Sequence, residues 1–91
     1  MVVVVHAIIV YDVSVERVNK VRIFLKQYLD WMQNSVFEGD ITKAKLKEVE
    51  LGLKEVIVEK EDSIIIYVSR TEQLIKQKFI GEPKVEPTNI L

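Results

Sequence analysis

Asp12 is the residue whose position in this sequence first suggests chemistry. It follows an apolar run that extends from Val2 to Tyr11 and is interrupted only by His6. A carboxylate at the end of a buried strand, just ahead of a helix, can stabilise the turn or bind a divalent cation. One carboxylate binds Mg²⁺ weakly. Two Asp12 side chains across a two-fold axis could share an ion, with water molecules completing its coordination shell. Both interpretations of Asp12 remain open at this point.

Further candidates for ligand contact lie near this carboxylate in the chain. Arg17, Lys20 and Arg22 belong to the helix that follows and could hold phosphates, although a solvated helix face is the simpler explanation. Tyr11 could stack on a base or pack in the core. Ser35 and Phe37 share one face of a later strand, where Phe37 is expected in the core or in a dimer contact.

Composition limits the classes of protein to which the chain can belong. Its 91 residues, 48% hydrophobic and 30% charged, predict one globular domain. Without cysteine it has no disulfide, thiolate zinc site or cysteine nucleophile. A net charge of −1 gives no bulk signature of nucleic-acid binding, so phosphate contacts would need a local basic face or a metal. The N-terminal run is too short to span a membrane and follows no basic segment, so a cytoplasmic protein with no membrane partner is expected.

The first half of the chain predicts a strand, a helix and a second strand. β-branched residues indicate a first strand over 2–11 with both faces buried. Ser14 is a suitable N-cap for the following helix. That helix is expected to reach residue 32, because one apolar stripe is formed by Val18, Val21, Leu25, Tyr28, Leu29 and Met32. The second strand is predicted over 34–41.

The second half predicts a helix and at least one further strand. Thr42 can cap a helix that ends near Lys54. The apolar segment 63–69 is predicted as the third strand. Weaker patterns indicate a short helix or turn at 71–74 and a fourth strand at 78–81.

These elements predict an α+β, ferredoxin-like sandwich with an antiparallel sheet and two helices on one face. The most apolar strands, 2–11 and 63–69, are expected at its centre, with 34–41 and the last strand at the edges. Two helices leave the other sheet face uncovered, and a two-fold homodimer would bury it. The domain is expected to span 1–81, and the tail 82–91 to add an edge strand to the partner.

Several segments together resemble the small CRISPR-associated endoribonuclease family, the second of the two core spacer-acquisition proteins. They are YDVS after the first strand, ERVNKV, QNSVFEGDIT and DSIIIYVSR, and the resemblance extends to the terminal NIL. It implies a ferredoxin-like homodimer whose sheets pack face to face and whose C-terminal strand reaches the partner. It also implies that Asp12 binds the metal, with Tyr11, Arg17, Ser35 and Phe37 at matching motif positions. Trp31 stands where many members have a basic residue.

The resemblance implies a subunit of CRISPR adaptation that binds nucleic acid and cleaves RNA or DNA with Mg²⁺ (or Mn²⁺). Asp12 would then hold the metal, while Arg17 and Lys20 position the phosphate backbone. The alternative is a non-catalytic dimeric scaffold that bridges two dimers of the CRISPR integrase and holds duplex DNA, a role that need not use Asp12. A regulatory dimer that senses a small molecule is a third possibility, but no glycine-rich ligand loop supports it.

Overall fold

A computed structural model describes residues 2–70 of the chain. Within this range the chain forms four strands and two helices, in the order β1 (Val4–Asp12), α1 (Val15–Leu25), β2 (Asp30–Gln33), β3 (Val36–Thr42), α2 (Lys43–Val56) and β4 (Ser63–Ser69). Three expectations, the helix or turn at 71–74, the strand at 78–81 and the tail at 82–91, lie outside the described residues, as does the domain boundary at 81. No helix within 2–70 is long and apolar enough to cross a membrane.

The four strands form one antiparallel sheet in the order β2-β3-β1-β4. This order and the two helices confirm the α+β, ferredoxin-like class. The prediction that 34–41 lies at an edge was wrong, because β3 lies between β1 and β2, whereas the central position of β1 is confirmed. The hairpin of β2 and β3 places β2 outside β3. The central position expected for 63–69 stays a prediction: β4 has only β1 beside it among the described strands, and the strand expected at 78–81 lies outside them.

Helix α1 is shorter than its apolar spacing predicts. It ends at Leu25, and a turn then leads into β2. Leu29 still packs in the core from this turn, so the helical spacing continues in the sequence after the helix has ended. Met32 was expected on the buried stripe but is exposed in β2. Asn34, with a φ of 39°, makes the tight turn between β2 and β3.

The main core lies between the sheet and the helices. Alternate residues of β1 face the helices and pack against them, and the buried residues of this cluster include Val5, Ala7, Ile9, Tyr11, Val21, Leu25, Leu46, Val49 and Leu53. A smaller cluster of Ile8, Val10 and Val36, with Tyr67 packed against it, lies on the other sheet face. We call this second face the open face, because neither helix covers it. The prediction that both faces of the first strand are apolar is confirmed.

Candidate functional site

Asp12 is an exposed carboxylate at the end of β1, directly opposite Ser63 of β4. Because side chains alternate along a strand, Asp12 points to the open face while its neighbour Tyr11 points into the helix-side core. Its carboxylate makes no hydrogen bond or ion pair with any residue from 2 to 70. The strand end therefore presents a free carboxylate.

The strand end offers few ligands for a divalent cation. No group of three or more histidine or acidic side chains that could hold a metal occurs among residues 2–70. A single protomer thus offers one hard oxygen donor at Asp12. Mg²⁺ is commonly held by one or two carboxylates together with water and substrate phosphates, so the donor type fits an open, substrate-assisted site.

Asp62 is a buried carboxylate that sequence reasoning missed. It is 7% exposed and lies just before β4. Arg17 donates to it from Nε at 2.6 Å and from Nη2 at 3.0 Å. The backbone N–H groups of Ser14 and Val58 each donate to it at 2.9 Å. The hydrogen bonds from Arg17 hold the pKa of Asp62 far below its usual range, so it is a carboxylate at every ordinary pH.

The contact between Arg17 and Asp62 fixes the end of the sheet that carries Asp12. Ser14 lies two residues after Asp12, and Ser63, which follows Asp62, pairs with Asp12 across the sheet. Arg17 also lies 3.9 Å from Glu16 and 3.7 Å from Glu61, so three carboxylates offset its charge. Its observed role is to position the strand end, and a phosphate contact by Arg17 stays a prediction.

Lys20 and Ser35 are two further polar candidates for contact with a substrate. Lys20 lies on α1, exposed and with no ion pair among the described residues. Ser35, in the turn before β3, is half-buried, and its carbonyl oxygen accepts from the N–H of Tyr11 at 3.1 Å. This bond brings the turn to the end of β1 that bears Asp12.

Tyr11 and Phe37 are core residues of the helix side. They are 2% and 0% exposed, and their ring centroids lie 6.1 Å apart. Burial raises the pKa of the Tyr11 phenol, and the charge of Arg22 and the hydroxyl of Ser35 partly offset this effect. The Tyr11 hydroxyl has no hydrogen-bond partner among the described residues. The burial of both rings favours packing over base stacking, the alternative that the sequence left open.

His6 is buried on the open face between two carboxylates of β3. Its Nδ1 lies 2.9 Å from Asp40 Oδ1 and its Nε2 lies 2.6 Å from Glu38 Oε2. Burial acts to lower the pKa of His6, but the bonds to Glu38 and Asp40 outweigh burial and raise it. Six residues of extended strand separate it from Asp12, roughly 20 Å. His6 is therefore a hydrogen-bonded structural group, not a ligand at the Asp12 end.

Comparisons with known proteins agree with this architecture. A family model described as CRISPR associated protein Cas2 matches residues 5–77. A CRISPR-associated endoribonuclease Cas2 of Methanosarcina acetivorans is 50% identical over 94% of this chain and 99% of its own length. A protein of Archaeoglobus fulgidus named CRISPR-associated endoribonuclease Cas2 2 is 50% identical over 92% of this chain and 91% of its own.

A solved structure described as a crystal structure of cas2 has the same fold. It superimposes with a TM-score of 0.80 at 44% sequence identity, and the match covers 91% of this chain and 93% of that one. The resemblance carried by the YDVS and SVFEG segments is thereby confirmed over most of the chain. On its sequence and its fold, this chain belongs to the CRISPR associated protein Cas2 family.

Proposed function

We propose that this chain is a CRISPR-associated, metal-dependent endoribonuclease that hydrolyses phosphodiester bonds with Mg²⁺ or Mn²⁺ at Asp12. The observation that supports it is an exposed carboxylate, without a partner among residues 2–70, at the end of a central strand, in a family whose relatives are named endoribonucleases. RNA is the expected substrate because those names specify it. Duplex DNA is the second substrate to test.

The chain's own residues would bind and orient the substrate. When bound, the cation would supply an activated water and stabilise the negative charge that develops on the phosphate. Asp12 would hold the cation through a carboxylate oxygen. Arg17 and Asp62 connect α1 to the segment before β4 through two hydrogen bonds. The N–H of Ser14, just ahead of α1, donates a third to Asp62. Lys20 would attract the phosphate backbone without binding any one base.

The proposal includes a homodimer formed through the open face. Ile65 of β4 lies opposite Val10 on this face and is 37% exposed, and Val4 is exposed on it as well. Isologous pairing of two such faces would bury these side chains. With the two-fold axis along the β1 strands, the two Asp12 carboxylates would lie at the same end of the assembly, where they could share a cation.

The test of the proposal is a cleavage assay on single-stranded RNA and duplex DNA, with Mg²⁺ and with EDTA. Asp12→Asn should reduce cleavage by about 100-fold or more, the loss typical when a group that stabilises transition-state charge is removed. Asp30→Asn is the matched control, because it makes the same change at an exposed strand residue of β2. Undiminished cleavage by Asp12→Asn, or undiminished cleavage by the wild type in EDTA, would contradict the proposal.

A second candidate function is a non-catalytic scaffold that bridges dimers of the CRISPR integrase and holds duplex DNA. The observation that favours it is the lone carboxylate, since residues 2–70 contain no acidic cluster that would bind a cation without help. If the protein is a scaffold, wild type and Asp12→Asn should bind duplex DNA equally well. Both should also copurify equally well with the integrase subunit. Absence of cleavage by the wild type, with both interactions intact, would establish this alternative.

A further inference from the structure

Trp31 is an exposed aromatic side chain that is held in a defined orientation. It lies on β2, at one edge of the described sheet, and is 45% exposed. Its indole Nε1 donates to the carbonyl oxygen of Asn34 at 2.9 Å. Leaving this ring half in water forgoes much of the stabilisation that its burial would give. Tryptophan is enriched at binding interfaces, where part of the ring is packed and part is exposed.

Two cations lie over this ring, Arg22 of α1 and Lys26 at the residue that follows the helix. The guanidinium carbon of Arg22 is 5.2 Å from the ring centroid and the Nζ of Lys26 is 5.0 Å from it. Both distances are within the range of cation–π attraction, and residues four apart lie on one helix face. Neither cation forms an ion pair with a carboxylate within the described part of the chain, and Arg22 Nη2 bonds only the neutral Asn19 side chain at 2.5 Å.

We propose that Trp31, Arg22 and Lys26 form a binding site for single-stranded nucleic acid, which we call the Trp31 platform. A base stacks on the exposed part of the indole, and the two cations hold adjacent phosphates. Such a combination of aromatic ring and cations binds single strands with little dependence on sequence.

The Trp31 platform is separate from the proposed catalytic end. Trp31 lies opposite Phe37, which belongs to the helix-side core, so the indole is on the helix side of the sheet. Asp12 is on the open face. A single strand bound to the platform would pass around the β2 edge of the sheet. The inference rests on the proposed function only in taking nucleic acid as the class of ligand.

The charges favour nucleic acid over a protein partner. Exposed Trp, Met and Arg side chains also occur at protein interfaces. At this site, however, two cations with no carboxylate partner among residues 2–70 lie beside one ring. A polyanion with planar bases satisfies both features at once, because phosphates neutralise the cations while a base covers the indole.

The experiment uses the intrinsic fluorescence of Trp31, which is the only tryptophan in the chain. The Asp12→Asn variant in EDTA, chosen so that the expected cleavage is suppressed, is titrated with a short oligouridylate and with duplex DNA of equal length. We expect saturable quenching by the single strand and weaker quenching by the duplex. Trp31→Ala should weaken binding of labelled oligouridylate, measured by anisotropy, by about 5- to 100-fold, and Trp31→Phe should restore part of it.

The cations are tested by salt dependence. The double variant Arg22→Gln/Lys26→Gln should lower the slope of log affinity against log salt by about 1.4, since each phosphate contact on a single strand contributes about 0.7. Lys45→Gln/Lys47→Gln on exposed positions of α2 is the matched control and should leave the slope unchanged. Unquenched fluorescence, or equal effects of the two double variants, would overturn the platform. Intact quenching without cleavage by the wild type would overturn only the nuclease proposal.

Discussion

At the scale of single residues, the organisation of the Asp12 end depends on Asp62. Burying a carboxylate is costly unless hydrogen bonds and an opposite charge offset the loss of water. Asp62 meets that requirement with the Arg17 guanidinium and two backbone N–H groups. Because Ser14 and Arg17 follow Asp12 in the chain and Asp62 precedes Ser63, its cross-strand partner, one buried side chain ties together the two segments that flank the strand end.

The depressed pKa of Asp62 predicts a pH-dependent contribution to stability. A carboxyl group whose pKa is lower folded than unfolded stabilises the fold above its unfolded pKa of about 3.9, and this contribution is lost as the pH falls toward the folded pKa. The melting temperature of wild type should therefore exceed that of Asp62→Asn by a constant amount at neutral pH, and the difference should shrink below about pH 4. A difference that is independent of pH down to acid unfolding would contradict this account.

The importance of Asp62 was not evident from the sequence. It ends a charged segment, 59–62, that is typical of a solvated loop, and its main partner Arg17 lies 45 residues away. Ser14 was correctly placed at the helix start, but its hydroxyl donates to Glu16 at 3.1 Å and makes no capping bond. Its backbone N–H instead donates to Asp62. Local patterns gave the position of these residues, whereas the contacts depend on the folded chain.

At the scale of elements, the two helices approach each other closely at Gly52. A Cβ added there would overlap Cζ of Phe24 on α1 and lie 2.8 Å from its Cε1. Gly in a helix interior ordinarily costs about 1 kcal/mol relative to Ala. Here the missing side chain leaves space for the Phe24 ring, so the propensity cost is offset by packing between α1 and α2.

Gly52→Ala should consequently destabilise the protein in spite of its better helix propensity. We expect a loss of about 1–3 kcal/mol in the free energy of unfolding, because the Phe24 ring must move. In a Phe24→Leu background the same substitution should be neutral or stabilising by up to about 1 kcal/mol. Urea denaturation of the double-mutant cycle measures this difference, and additive effects would show that Phe24 is not the cause.

The elements differ in how well the sequence predicts them. β1 and β4 were found because each is a nearly continuous run of apolar, mostly β-branched residues, and α2 because its apolar residues recur at helical spacing. β2 was missed because it has four residues, none of them buried, and follows a turn that keeps the helical spacing of α1. A strand of this kind is held by its backbone pairing with β3, which leaves no pattern in the sequence.

At the scale of the whole molecule, the two faces of the sheet are unequal. The helix side holds the main core, and the open face holds a small cluster of Ile8, Val10 and Val36. The expectation that the open face is uncovered holds only in part, since Ile8 and Val10 are buried within the chain while Ile65 remains exposed. The homodimer through this face stays a prediction.

A charge on the open face should prevent the proposed dimer. Ile65→Lys would place an ammonium in the buried interface, and we expect the mass measured by light scattering to fall to that of a monomer. Val68→Lys is the matched control, because Val68 is exposed on the same strand but pairs with Ala7 on the helix side. Dimers that persist in Ile65→Lys, or dissociation in both variants, would argue against the open face as the interface.

The hydrogen-bonded cluster of His6, Glu38 and Asp40 also defines how β1 and β3 align. His6 lies opposite Asp40, and Ile8 lies opposite Glu38. A slip of one residue would turn both carboxylates toward the helices, and a slip of two would take one of them out of reach of the imidazole. The cluster therefore favours the observed register of β1 against β3 over registers shifted by one or two residues. Since the register decides how far β1 extends past the start of β3, a histidine at one end of the strand sets the position of the carboxylate at the other.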